Sequence, residues 1–205
     1  MKLLPTVAGF VVAAALAAPS QAIQIVYTAS LSGANEVPPN ASPGSGDASV
    51  MYDSLAHTLT VSYSFADLGS GLVDGHIHCC TTPDNNVGVA VGFTGLPLGA
   101  TAGSDDSEVY DLTSSATFRQ SFIDGFAGGV AADAEAALVA GLNSGLTYFN
   151  LHSELIPSGE IRGQLAATTV PIPEPRIAAM LLLGLGVLGL VSRRSRRGGD
   201  GGSAS

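Results

Sequence analysis

The sequence predicts an all-β domain, an antiparallel β-sandwich or barrel with one short inserted helix. Three observations predict it. Apolar residues alternate with period two over most of residues 23–170, clusters of Gly, Pro, Asn and Asp interrupt the alternation, and a single alanine-rich stretch has the composition of a helix instead.

The elements follow in chain order. QIVYTASLS (24–32) and ASVMYD (48–53) read as the first strands. DSLAH (53–57) turns the chain into HTLTVSYSF (57–65), which places Leu59, Val61, Tyr63 and Phe65 on one face and Thr58, Thr60, Ser62 and Ser64 on the other. NVGVAVGF (86–93) groups Val87, Val89, Val91 and Phe93. GSDDSE (103–108) is the densest acidic run. It lacks the ligand spacing of a calcium loop and reads as a solvated loop before the strand EVYDL (108–112). AADAEAALVAGLNSG (131–145) opens with acids suited to a helix N-terminus, and Gly141 and Gly145 are positioned to end it. TYFNLHS (147–153) and GEIRGQL (159–165) are the last strands, joined through a turn at PSG (157–159). No repeat of solenoid length is present.

Both ends carry export signals. Residues 1–22 combine Lys2, an apolar run and the small-x-small end Ser20-Gln21-Ala22, so cleavage is expected between Ala22 and Ile23. A retained anchor is the alternative, but the run is short and alanine-rich for a span. Residues 169–176 form a Pro-rich linker in which Pro171, Pro173 and Pro175 forbid regular structure. Ile177 to Val191 hold no charge, and a transmembrane helix is expected over 177–192. That apolar run would be roughly 22 Å long as a helix. Arg193, Arg194, Arg196 and Arg197 open the tail at 193–205 and hold it on the cytoplasmic side. A buried core helix fits poorly against four arginines.

Residues 23–168 make one domain, large enough for a core of its own. Its only cations are Arg119 and Arg162, against fifteen Asp and Glu, which leaves a formal charge of −13. Such a surface repels phosphate backbones, so no nucleic-acid partner is expected. Cys79 and Cys80 are neighbours, able to join only as a vicinal ring and unable to staple distant segments.

The tail, Pro173-Glu174-Pro175 followed by an apolar helix and an arginine cluster, closely resembles the PEP-CTERM sorting signal. The resemblance implies an exosortase-type membrane peptidase as partner, transit through the inner membrane of a Gram-negative bacterium, and delivery to the cell surface or extracellular matrix. Residues 198–205 extend beyond the arginines, where signals of this type usually stop sooner. Within the domain, YTASLSGANEVPP (27–39), GHIH (75–78) and YFNLHSELIPSGEIRGQL (148–165) resemble, in the same order, the blocks of the CHRD domain. This implies an immunoglobulin-like β-sandwich or barrel and brings no settled activity.

His76 and His78 share a strand face, with Cβ atoms about 7 Å apart. An H-x-H pair chelates one metal ion when a third ligand joins it. The resemblance pairs the HIH block with NLH, which offers His152 as that ligand; for such a histidine set copper or zinc is the expected cofactor. Alternatively the histidines are a structural cluster, hydrogen-bonded to acceptors such as Asp74 and Glu160. Cys79 and Cys80 as a redox pair are a third reading. Glu160 and Arg162, two apart on one strand, are expected to form a structural ion pair, and His57 to face water beside its turn. No G-x-S-x-G, H-E-x-x-H, phosphate loop or C-x-x-C occurs. No catalytic residue is assigned, and a non-enzymatic structural or binding module is expected, with exopolysaccharide or surface proteins as partners. A metal-binding, redox-active exported protein is the alternative.

Overall fold

The period-two pattern carries directly into hydrogen-bonded ladders. The computed structural model describes residues 23–168; the expected signal peptide, linker, transmembrane helix and arginine tail lie outside the described residues. Strands β1 (Gln24–Ser32), β2 (Ser45–Asp53) and β3 (Thr58–Ala66) form an antiparallel meander, with β1 and β2 paired along their full length. Next come β4 (Leu72–Cys79), β5 (Val89–Gly92), β6 (Gly103–Asp111), β7 (Thr147–Ser153), β8 (Ile161–Gln164) and β9 (Ala166–Thr168). The sheet order is β5-β4-β7-β8-β1-β2-β3-β6, with β9 added to β1, and the pairings are antiparallel.

The sheet curls round one core as a half-barrel. Tyr63 of β3 meets Phe149 of β7 at 5.5 Å between ring centroids, although three strands, β8, β1 and β2, lie between them in the sheet order. The two edge strands also converge. Phe93, just past β5, lies 6.2 Å from Tyr110 of β6, and the Thr94 N–H donates to the Tyr110 hydroxyl at 3.1 Å. Leu59, Val61, Tyr63 and Phe65 all face the core, as the alternation requires.

Several expectations are corrected. The acidic run at 103–108 is not a loop but the first part of β6, paired with β3; Asp106 faces out, while Asp105 and Glu108 are half-buried on the side of Tyr63 and Val61 at the sheet edge. Negative charge on an edge strand discourages pairing with another chain, so the same residues suit both solvent and sheet. Of NVGVAVGF only Val89–Gly92 is strand. A register shift at Ile77/His78 pairs Val91 with Ile77 on the core side and Val89 with His78 on the other. The predicted helix exists as α2 (Ala134–Asn143), and a second helix, α1 (Gln120–Phe126), precedes it. Its Phe122 and Ile123 are buried, but seven residues give too short a periodic signal to read. Gly145, at φ +65°, closes α2, whereas Gly141 lies within it. There the helix backbone passes directly over the disulfide joining Cys79 to Cys80, and a Cβ on Gly141 would collide with both sulfurs.

The face of β4, β7 and β8 that points away from the core is polar, yet it is buried. Tyr148, Asn150 and His152 on β7 and Arg162 on β8 are all less than a tenth exposed. Two loops cover them, 33–44 and 80–88. Arg162 holds both loops: its Nε donates to Asn35 O at 2.6 Å and its Nη1 to Asn86 Oδ1 at 2.8 Å. Its guanidinium also lies 4.5 Å from the centre of the Tyr148 ring. Glu160 does not pair with it. The Glu160 carboxylate accepts from Ser42 Oγ at 2.5 Å and Gly69 N at 2.6 Å, tying a different pair of segments. The carboxylate beside Arg162 is Glu36, which accepts from Asn150 Nδ2 at 2.6 Å. Gly159, at φ +128°, leaves room for this contact, since a Cβ there would stand 2.7 Å from Asn150 Oδ1.

Burial lifts the Glu36 carboxyl to about 7, against the lowering effects of Asn150 and Arg162. A raised carboxyl favours the protonated folded state, so its contribution is full below pH 4.5 and is lost as pH rises toward 7. The loss amounts to at most about 3 kcal/mol. Glu36→Gln should therefore be more stable than the parent at pH 8 and equal to it near pH 4.5, as read by urea denaturation. Gly141→Ala should cost about 1–3 kcal/mol by overpacking the helix against the disulfide; an unchanged denaturation midpoint would contradict that packing.

Candidate metal centre

Strand pairing sets the three imidazoles side by side. Asp74 of β4 lies opposite His152 of β7, His76 opposite Asn150, and His78 opposite Tyr148. Because side chains of paired residues leave the sheet on the same side, these six share the outer face while Ile77, Phe149 and Leu151 fill the core. One ring nitrogen from each of His76, His78 and His152 lies within 4.8 Å of the other two. His78 stacks on Tyr148, at 4.6 Å and 4° between planes, which fixes its ring.

The second nitrogen of each ring decides what the first can do. His78 Nδ1 lies 2.8 Å from Val87 O, and His152 Nδ1 lies 3.0 Å from Pro157 O. A carbonyl only accepts, so both Nδ1 atoms carry hydrogen and both Nε2 atoms keep a lone pair when neutral. His76 Nε2 lies 3.1 Å from Asp74 Oδ2, and that contact likewise calls for a hydrogen on Nε2. Its Nδ1 is then bare, and it faces His152 Nε2 at 3.1 Å. Two lone pairs at that distance repel unless a cation stands between or beside them. His78 Nε2 is buried with no hydrogen-bond partner at all.

A proton on the cluster would relieve the conflict, but burial opposes it. It lowers His76 and His152 from the ordinary histidine value and takes His78 down to about 4. Asp74 resists this at His76, while the neighbouring His152 and Arg119 add to it. Near neutral pH the set is three uncharged imidazoles, the form that ligates metal. Carbonyl and carboxylate acceptors behind ligand histidines are the second shell that metal sites use to fix ring orientation and raise basicity.

Other expected site residues are placed elsewhere. Cys79 and Cys80 are disulfide-bonded, with their sulfurs against α2 at Gly141, and they stand outside the imidazole cluster. Glu160 takes no part in fixing the rings. His57 is half-exposed, as expected beside its turn, but its Nδ1 also contacts Glu135 of α2 at 2.9 Å. Ile23 lies at the start of the described residues, exposed, and Ala22 with the sorting residues Pro173, Glu174, Pro175, Arg193, Arg194, Arg196 and Arg197 lies outside them. Sequence reasoning missed Tyr148 and Asn150 as neighbours of the histidines, although alternation along TYFNLHS puts both on the face of His152. It also missed Glu36. The backbone acceptors Val87 and Pro157 leave no trace in residue type.

The PEP-CTERM protein-sorting motif matches residues 171–197, which marks an exported protein with a membrane-anchored stage processed by exosortase. No curated protein and no solved structure matches the chain. The profile of the CHRD domain matches residues 27–165, spanning the half-barrel and every imidazole of the cluster, and the chain belongs to the CHRD domain family.

Proposed function

We propose that this exported protein is a non-enzymatic metal-binding module that holds one copper or zinc ion on His76, His78 and His152. We further propose that its sorting tail delivers it to the surface or extracellular matrix of a Gram-negative bacterium. One observation carries the metal reading: ring nitrogens of all three imidazoles converge within 4.8 Å, while Val87 O, Pro157 O and the Asp74 carboxylate each engage one nitrogen of a ring. Neutral imidazoles suit zinc and copper above harder ions. With the cysteines held as a disulfide, no thiolate competes for the ion. Tetrahedral coordination at 2.0–2.1 Å would need nitrogens about 3.3 Å apart; the His76–His152 pair, at 3.1 Å, is already near that spacing, with a His78 nitrogen within 4.8 Å of both. The rings are only 7–8% exposed, which favours a module over an enzyme acting on bulky substrates. In the competing reading the histidines share protons in a purely structural cluster.

Metal exchange separates the two. The full chain is purified, stripped with chelator, exposed to zinc or copper and passed through a desalting column. About one equivalent should remain by elemental analysis, and saturation should raise the melting temperature by about 10 °C. His78→Ala and His152→Ala should lose the metal, whereas His57→Ala should retain it. A metal-free protein of unaltered melting temperature would leave only the structural cluster. For delivery, alanine in place of Pro173, Glu174 and Pro175 should leave the protein in the inner membrane. Fractionation identical to the parent would refute sorting by this motif.

A further inference from the structure

We infer that the bound ion keeps one coordination position for a small anion and that the Arg119 guanidinium draws that anion in. This rests on the metal reading above. Three observations lead to it. First, no cysteine or carboxylate joins the three histidines among the described residues, so a four-coordinate ion has one ligand still to find.

Second, the domain's two cations both lie on the face of the cluster. Arg162 is buried and committed to loop carbonyls. Arg119 is exposed, and no carboxylate lies within ion-pair distance of it among the described residues. Its guanidinium rests on β5 at Gly92, where a side chain is missing: a Cβ there would stand 2.9 Å from Nη2 and 3.4 Å from Cζ. Gly92 is the partner of His76 across the β4–β5 ladder, so the vacated space is on the outer face, one strand spacing from the His76 ring. The main chain of Arg119 is anchored independently. Its N–H donates to Ala90 O at 2.9 Å, and its carbonyl accepts from Phe122 N at 2.9 Å.

Third, size and charge restrict the ligand. The rings are only 7–8% exposed, which closes them to bulky molecules and leaves small ions as the ligands that fit. The domain as a whole repels anions, with two cations against fifteen acids. An anion therefore approaches only where the metal and an uncommitted guanidinium act together. Arg119 is thus a positioning residue for the fourth ligand and not a ligand itself.

Azide is the probe. The full chain is loaded with Cu(II), or with Co(II) if it prefers zinc, and titrated with azide while the ligand-to-metal absorption band is followed. Azide should bind at the metal with an affinity that falls as ionic strength rises. Arg119→Glu should weaken it about tenfold at low salt and flatten the salt dependence. Arg119→Lys should restore most of the affinity, and elemental analysis should show the same metal content throughout. If the metal-loaded protein gives no azide band, or if Arg119→Glu binds azide like the parent, the inference is wrong while the metal site stands. If no metal is retained, both fall together.

Discussion

A sheet face taken out of water has to find a partner for every polar atom it carries, and this requirement organises the domain. The outer face of β4, β7 and β8 carries three imidazoles, a phenol, an amide and a guanidinium, all nearly inaccessible. Apolar loops could not cover such a face, because each unpaired donor or acceptor would cost on the order of 1–3 kcal/mol. The covering loops instead turn backbone carbonyls inward, those of Asn35 and Pro83 to Arg162 and of Val87 to His78, and the β7–β8 turn offers Pro157 O to His152. Arg162 meets loop 33–44 and loop 80–88 at once, so it helps fix where Val87, the acceptor of His78, stands. The site is positioned by this clamp, and the hydrophobic core serves mainly to hold the strands on which the clamp is built.

Four buried side-chain atoms find no partner among the described residues, Tyr63 Oη, Thr147 Oγ1, Glu160 Oε2 and His78 Nε2, and the last of these lies in the imidazole cluster. Val87 and Pro157 assign the hydrogens of His78 and His152, and Asp74 assigns that of His76. What remains is an inward-facing set of lone pairs, two of them 3.1 Å apart and a third with no partner. Moving the His76 hydrogen to Nδ1 repairs the pair but breaks the contact with Asp74, whose side chain is half-exposed and can turn to water. That rearrangement still leaves His78 Nε2 alone. A cation at the centre satisfies all three at once, which neither tautomer of His76 does.

How much of this was legible in the sequence follows from which forces act locally. Alternation located seven of the nine strands because one face of each meets the core, and composition located α2. The β6 acids misled for a physical reason: an edge strand needs no apolar outer face, so it resembles a solvated loop until its partner is known. Helix α1 and the three-residue strand β9 were too short to establish a period. For the site, the H-x-H spacing gave the geometry of His76 and His78, and the CHRD resemblance supplied His152. The expected Glu160–Arg162 pair failed because two-residue spacing says only that side chains leave the same face. The loops that claim each side chain come from elsewhere in the chain, Ser42 and Gly69 for one, Asn35 and Asn86 for the other. Likewise Gly141 reads as a helix stop in the sequence, yet its reason is the disulfide beneath it, a contact 61 residues away from Cys80.

Charge adds a last step. Carboxylates dominate the domain surface, and exposed carboxylates bind calcium or magnesium weakly and without selection, since water competes for every ligand position. The three imidazoles differ in kind as well as in burial: they are neutral, poorly hydrated and suited to copper and zinc. An ion reaching the domain from outside the cell meets the acidic surface first, which raises the local concentration of all cations alike. Under the proposed metal reading, discrimination would belong to the covered face, where an ion would shed water and meet nitrogen ligands. On this view the acids and the histidines act in series, the first gathering ions and the second choosing among them.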